Sequence, residues 1–303
     1  MLMLAEQTLN GLQYSALLFL LSSGLTLVFG IMNVINLTHG SFYMVGAFCA
    51  ASAAAATGSF LAAIVAALVG AGIYGLVVER LVIRHLYRRD HLDQVLATLG
   101  LVLFTNELVT VVFGRSPPFL DIPPALAGTV ALGGGLAYPL MRLAFIAAGV
   151  LVAVGLWLLI ARTRVGMLVR AGADDREMVD ALGVDVHRLY MLVFALGAVL
   201  CGFAGVMSAP LLAVQIGMGE RILITAFVVI VIGGVGSVRG ALIGSLVIGM
   251  SDAFGRAYIP VALSQIMPPQ YSDPLGASLI SASAYILMAL VLLFKPLGLA
   301  ARG

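Results

Sequence analysis

The chain has 303 residues, 62% of them hydrophobic and only 10% charged, with a formal net charge of +2 and a mean hydropathy of +1.12. No soluble core needs apolar side chains in that proportion, so the composition excludes a soluble enzyme or nucleic-acid binder and defines an integral membrane protein.

From Gln7 to Val78 there is no Asp, Glu, Lys or Arg, an interval long enough for three spans of about 20 residues each. The first residues carry Glu6 and no basic n-region or small-residue cleavage site, so the first span is expected to stay in place. Apolar segments follow at about 7–30, 40–57, 59–78, 94–113, 140–161, 189–213, 222–256 and 275–294. Helices are expected for all of them, because backbone groups in a bilayer must be satisfied within the segment.

Between the first two segments lies GIMNVINLTHGSF, residues 30–42. Glycines weaken a helix, and side-chain amides and an imidazole can bond to backbone groups that a break releases. A broken helix near 31–39 is therefore expected. Asn33, Asn36, Thr38 and His39 are candidates to line a translocation path, set against the plainer reading that they cap and pack the break. Gly30 and Gly40 are read as the glycines that permit it.

Two connections concentrate the basic residues. ERLVIRHLYRRDHLD carries Arg80, Arg84, Arg88 and Arg89, and ARTRVGMLVRAGADDREMVDALGVDVHR carries Arg162, Arg164, Arg170, Arg176 and Arg188. Both are expected on the cytoplasmic side, with an external N-terminus three spans before the first. GRSPPFLDIPPALAGTVALGGGLAYP, with four prolines before Leu126 and one basic residue, reads as an external loop.

In the second basic connection, about 162–188, Asp174 and Asp175 are helix-starting acids and Gly183 is a stop signal, which predicts a short helix over about 175–182. Met178 and Leu182 fall four apart on one face with Ala181 between them. Arg176, Glu177 and Asp180 are left for polar contacts. Such a helix can dock into a groove on a partner, and its plainer alternative is a capped connector on the membrane surface.

The 222–256 segment contains IGGVGSVRGALIG, with Gly233, Gly234, Gly236 and Gly240. It is read as a hairpin of two short helices turning at Gly236 to Arg239 on the cytoplasmic side, which also places the C-terminus inside, with Lys295 and Arg302. The fold expected is an all-α polytopic membrane protein of about eight transmembrane helices, or nine segments counting both arms of that hairpin. A single transmembrane domain over 1–303 is expected.

Several chemistries are missing. Cys49 and Cys201 stand alone, without metal or redox spacing, so no metal site is expected. The one lysine, Lys295, sits in no glycine-rich phosphate loop, so the chain is not expected to bind ATP itself. No nucleophile triad or metalloprotease motif occurs. Two acids lie in or near apolar segments, Glu107 and Asp252. Asp252 has Arg256 four residues on and is read as half of a helix-end pair, and Glu107 is left unexplained.

Three stretches together carry a family likeness: SGLTLVFGIMNVINLTHGSFYMVGAF, RAGADDREMVDALGVDVHRLYMLVFALGAVLCGFAGV and AFVVIVIGGVGSVRGALIGSLVIG. In this order they resemble the inner-membrane permeases of branched-chain amino acid ABC transporters, the LivH type. The resemblance implies a non-catalytic permease subunit of a bacterial inner-membrane importer for branched-chain or related hydrophobic amino acids. Its implied partners are a second permease of the LivM type, two cytoplasmic ATPases that bind ATP and Mg, and an external solute-binding protein. It also implies that Asp175, Arg176, Glu177, Met178, Ala181, Leu182 and Gly183 form the segment that meets the ATPase. The competing reading is an ion- or proton-coupled secondary transporter or channel using Glu107, Asp252 or His39.

Overall fold

The computed structural model describes residues 2–87, 89–114, 119–133 and 135–300. Arg88, Arg115, Pro117, Pro118, Gly134 and Arg302 lie outside the described residues, as do the side chains of Arg176 and Glu177. The helices in chain order are α1 (Leu2–Met32), α2 (His39–Thr57), α3 (Phe60–Leu86), α4 (His91–Phe113), α5 (Leu140–Arg162), α6 (Arg164–Asp174), α7 (Arg176–Ala181), α8 (Val186–Ser208), α9 (Met218–Gly233), α10 (Val238–Ser264) and α11 (Pro269–Phe294). Among the described residues eight are long and apolar enough to cross a membrane, namely all but α6, α7 and α9. At 16 residues α9 reaches only about 24 Å, short of a hydrocarbon core of about 30 Å. The chain is thus an all-α polytopic membrane protein, with one two-stranded hairpin, β1 (Thr129–Ala131) and β2 (Ala137–Pro139), in the predicted external loop.

Two corrections concern the predicted breaks. Gly30 and Gly40 lie inside α1 and α2, and the non-helical stretch is 33–38, where Asn33 takes the left-handed conformation at φ 51°. Asparagine tolerates that geometry, so it ends α1 as glycine would. The 222–256 hairpin turns over 234–237, with Gly234 and Gly236 at positive φ. Gly233 and Gly240 belong to the helices, and Arg239 lies in the first turn of α10 rather than in the turn. Its second arm runs on to Ser264 through Pro260, which the chain tolerates inside the helix.

The chain divides into two compact units, 20–123 with 151–224, and 1–19 with 124–150 and 225–303. The first is built around α8. Lipid tails are as apolar as leucine, so helices in a bilayer associate through close packing, and small residues let backbones approach. α8 supplies three such positions on different sides. A Cβ on Gly197 would lie 3.1 Å from the Gly24 carbonyl of α1, one on Gly202 2.8 Å from the Ala67 carbonyl of α3, and one on Gly205 2.9 Å from the Ala47 amide of α2. Tyr43 and Ser208 join their hydroxyls at 2.7 Å across the α2–α8 contact.

The second unit uses the same device. A Cβ on Gly249 of α10 would meet the Ser15 amide of α1 at 2.7 Å, and one on Gly149 of α5 the Ala16 side chain at 2.6 Å. Tyr138 and Arg142 both donate to the Asn10 carbonyl oxygen, at 3.0 and 2.7 Å. The chain end returns to the α9–α10 turn, where the amides of Leu299 and Ala300 donate to the carbonyls of Ile232 and Gly233 at 2.8 and 3.0 Å.

Replacing Gly202 by valine forces α3 and α8 apart, and overpacking of this kind costs about 1–3 kcal/mol or more. The expected result is a clear fall in the detergent melting temperature, whereas Gly155→Val, at a helical glycine with open space around it, leaves the melting point nearly unchanged.

Candidate functional site

The 33–38 stretch is a buried, re-entrant connection. His39, which opens α2, packs against Gly197 of α8, its Nε2 lying 3.1 Å from a Cβ built there, and the same glycine approaches Gly24 of α1. Gly24 lies eight residues before the end of α1, about 12 Å along the helix axis. The chain therefore leaves α1 at Met32 and climbs back into the bundle without helical hydrogen bonds. Such backbone is tolerated at membrane depth only when buried in protein. Val34, Asn36, Thr38 and His39 are all fully buried, and Asn33 alone of the four candidates is exposed.

Side chains replace the missing backbone bonds. The Asn36 carbonyl oxygen accepts from the Thr38 amide at 2.9 Å and also from the Thr38 hydroxyl. An amide donor fixes which end of Asn36 is oxygen, so its nitrogen must donate to Nδ1 of His39 at 3.0 Å. The His39 proton is thereby assigned to Nε2, which has no hydrogen-bond partner among the described residues and lies against Gly197. Phe42 and Phe194 approach the imidazole edge-on at 5.5 and 5.8 Å.

Residues the sequence reading passed over anchor both ends of this stretch. The Ile35 amide donates to the side-chain oxygen of Gln94 at 3.0 Å, while the nitrogen of Gln94 donates to the carbonyls of Leu86 and Arg89 at 3.3 and 3.0 Å. Tyr190, at the start of α8, donates to the Ile31 carbonyl at 3.1 Å. Tyr87 stands edge-on to Tyr190 at 5.3 Å and donates to Glu79 at 2.5 Å. Burial first, and then this bond to Glu79, pushes the Tyr87 phenol above its ordinary range, so it stays protonated and donates. Glu79 is itself buried and opens a π-helical turn, Glu79–Ile83. A buried glutamine, or an acid eight residues from a tyrosine, is the only sequence signal these positions give.

The second basic connection folds onto the same end of this unit. Thr163 caps α6 by accepting from the Gly166 amide at 3.1 Å. Val169 and Gly172 turn inward, and a Cβ on Gly172 would meet Leu189 and Ile31 at 3.6 and 3.9 Å. Asp175 is extended, closing α6 and capping α7 by accepting from the Met178 amide at 3.0 Å. α7 ends in a Schellman motif, with Gly183 at φ 82°, its amide donating to the Asp180 carbonyl at 2.9 Å and the Val184 amide to the Val179 carbonyl at 3.4 Å. Asp185 then caps α8, accepting from the Arg188 amide at 3.0 Å.

The predicted helix is present as Arg176–Ala181, and it carries an unusual face. Met178 is 61% and Leu182 77% exposed, and Ala181 is exposed beside them, while Val179 points inward at 4%. Sequence reading missed Val179 as the anchor and missed α6 altogether, although the valines at 165 and 169 and Gly172 fall on helical spacing. The backbones of Arg176 and Glu177 lie in the helix.

The remaining candidates fall elsewhere. Glu107 is exposed, and its neighbour Asn106 instead donates to Glu220 at 2.6 Å. Asp252 and Arg256 form the expected pair, at 2.7 and 3.0 Å. It is not at a helix end, however, because α10 continues twelve residues beyond Asp252. Both cysteines are free, and no cluster able to hold a metal occurs among the described residues.

Eight apolar spans among the described residues, with a buried re-entrant connection and a capped loop helix presenting apolar side chains, define a multi-pass membrane protein. The model of the family described as "Branched-chain amino acid transport system / permease component" matches residues 7–295, and the chain belongs to that family. It is 31% identical to the high-affinity branched-chain amino acid transport system permease protein BraD of Pseudomonas aeruginosa, covering 98% of this chain and 95% of the relative. It is 28% identical to the corresponding LivH of Escherichia coli K12 over the same shares, and 28% identical to a probable LivH permease of Methanocaldococcus jannaschii, covering 82% and 80%. No solved structure matches the chain.

Asn36→Leu removes the acceptor for Thr38 and the donor for His39 at once. Buried groups left unpaired cost about 1–3 kcal/mol each, so the variant is expected to lose several degrees of melting temperature in detergent, whereas Asn33→Ser, at an exposed position, loses at most the cost of the left-handed backbone.

Proposed function

We propose that the chain is the non-catalytic permease subunit of an ATP-driven importer that carries branched-chain or closely related hydrophobic amino acids across a bacterial inner membrane into the cytoplasm. ATP and Mg belong to two separate ATPase subunits, a second permease of the LivM type completes the pathway, and an external solute-binding protein delivers the substrate. The family match and the names of the relatives support this reading. In it, residues 162–188 are the cytoplasmic coupling loop.

The observation that carries the reading is the tip of that loop. Met178, Ala181 and Leu182 stand exposed on a helix of six residues, held by a side-chain cap at one end and a glycine cap at the other. Water-exposed methionine and leucine on a rigid, capped projection suit the groove of a partner protein. Asp175, exposed beside them, adds a polar group at the rim. Because α6 packs on Ile31 and Leu189, a push on α7 enters the unit where the 33–38 stretch begins. Asn33, Asn36, Thr38 and His39 then act as the element whose repacking accompanies opening and closing of the path, with the ATPase biasing one arrangement over the other.

The double variant Met178→Glu with Leu182→Glu is expected to insert normally, to lose co-purification of the ATPases from native membranes and to reduce leucine uptake at least tenfold. Gly183→Val meets no neighbour but places a β-branched residue at positive φ, at a cost of about 1–2 kcal/mol. It is expected to weaken coupling with insertion intact. ATPase association and uptake unchanged in both variants would refute the coupling assignment.

A further inference from the structure

The Asp252–Arg256 pair has no role in the coupling scheme, and its position calls for one. α10 runs from Val238 to Ser264, so Asp252 lies about 21 Å from one end and about 18 Å from the other. Charged side chains at such depth are costly and face protein or water rather than lipid. Yet this pair is half open, with side-chain exposures of 22% for Asp252 and 68% for Arg256.

It borders a cavity of about 220 Å³. Tyr14, Thr225 and Ser281 are among the polar residues that line it, and the Ser281 hydroxyl donates to the Ala277 carbonyl at 2.9 Å. Val228, Ile248 and Ile280 are its aliphatic lining. All belong to the same compact unit.

We infer that this cavity is a transit site for a zwitterionic α-amino acid with a small apolar side chain, in which Asp252 receives the ammonium and Arg256 the carboxylate. The inference rests on the importer reading and adds the residues that meet the substrate. A bound cation or anion would satisfy one member of the pair and strand the other. A zwitterion exchanges with both and leaves the net charge at zero, which avoids an uncompensated charge in a region of low dielectric. Guanidinium and carboxylate match as a planar, bidentate fork. The aliphatic residues of the lining receive the side chain.

The test uses the complete transporter purified from its native membrane and reconstituted in liposomes with internal ATP. Wild type is expected to import L-leucine and to reject both leucinamide, which lacks the carboxylate, and 4-methyl-2-oxopentanoate, which lacks the ammonium. Asp252→Asn and Arg256→Gln are each expected to lower leucine uptake at least tenfold. The first narrows the preference for leucine over the oxo acid, and the second the preference for leucine over the amide. A measurement on unmodified protein covers the case in which these variants fail to assemble. Phenylglyoxal labelling of Arg256, followed by mass spectrometry, should slow at least fivefold in saturating leucine and be unaffected by leucinamide. Wild-type import of leucine with unprotected Arg256, or with both variants transporting normally, overturns the site and leaves the importer standing. ATP-driven import of no amino acid by wild type overturns the importer reading itself.

Discussion

The α8-centred unit depends on backbone-to-backbone approach. Gly202 and Gly205 of α8 meet α3 and α2 at distances that exclude a Cβ, and at the α1 contact a Cβ on Gly24 would lie 2.8 Å from the Gly197 carbonyl. Where water supplies no drive between helices, this contact is what gathers them. It also makes the 33–38 connection possible. A non-helical stretch survives at membrane depth only if protein surrounds it, and the close approach of α1 and α8 at Gly24 and Gly197 builds the wall on which His39 rests. Side chains larger by one methyl group there would open the space in which the Asn36 network is sealed.

That network explains why the connection is polar. Leaving α1 and entering α2 frees backbone groups that no neighbouring helix turn can take up. Asn36 satisfies the Thr38 amide and fixes the His39 tautomer in one arrangement. Gln94 takes the Ile35 amide and Tyr190 covers the Ile31 carbonyl. The residues that made this stretch conspicuous in the sequence are thus the ones its backbone geometry demands, and any part they play in transport is exerted through that geometry.

Much of this was legible beforehand because a bilayer restricts the answers. Apolar length located the eight spans, and Asp175 and Gly183 bracketed α7, since capping chemistry is local in sequence. What escaped was non-local. Gln94 and Tyr190 matter through partners 59 and 159 residues away, and Val179 differs from exposed Met178 only in the direction its side chain points. Gly30 and Gly40 misled because glycine signals both a break and a close approach. Gly40 serves the second, where a Cβ would run into the Gly219 backbone. Asp252 misled because the apolar segment was taken to end at 256, whereas α10 runs on to Ser264, which turned a mid-helix ion pair into a helix-end one.

The two features with proposed roles differ in how firmly they are held, and the difference suits their tasks. The loop helix α7 is fixed at both ends by caps and by Val179, so a displacement applied to its apolar tip is passed on through α6 instead of being lost in local bending. The Asp252–Arg256 pair is held by nothing beyond its own two hydrogen bonds among the described ion pairs. Opening such a pair at membrane depth is costly unless both charges find new partners at once, and a zwitterionic solute supplies both. A transporter needs both properties, stiffness where force enters and weak bonding where cargo pauses, because cargo bound tightly inside the membrane would not be released.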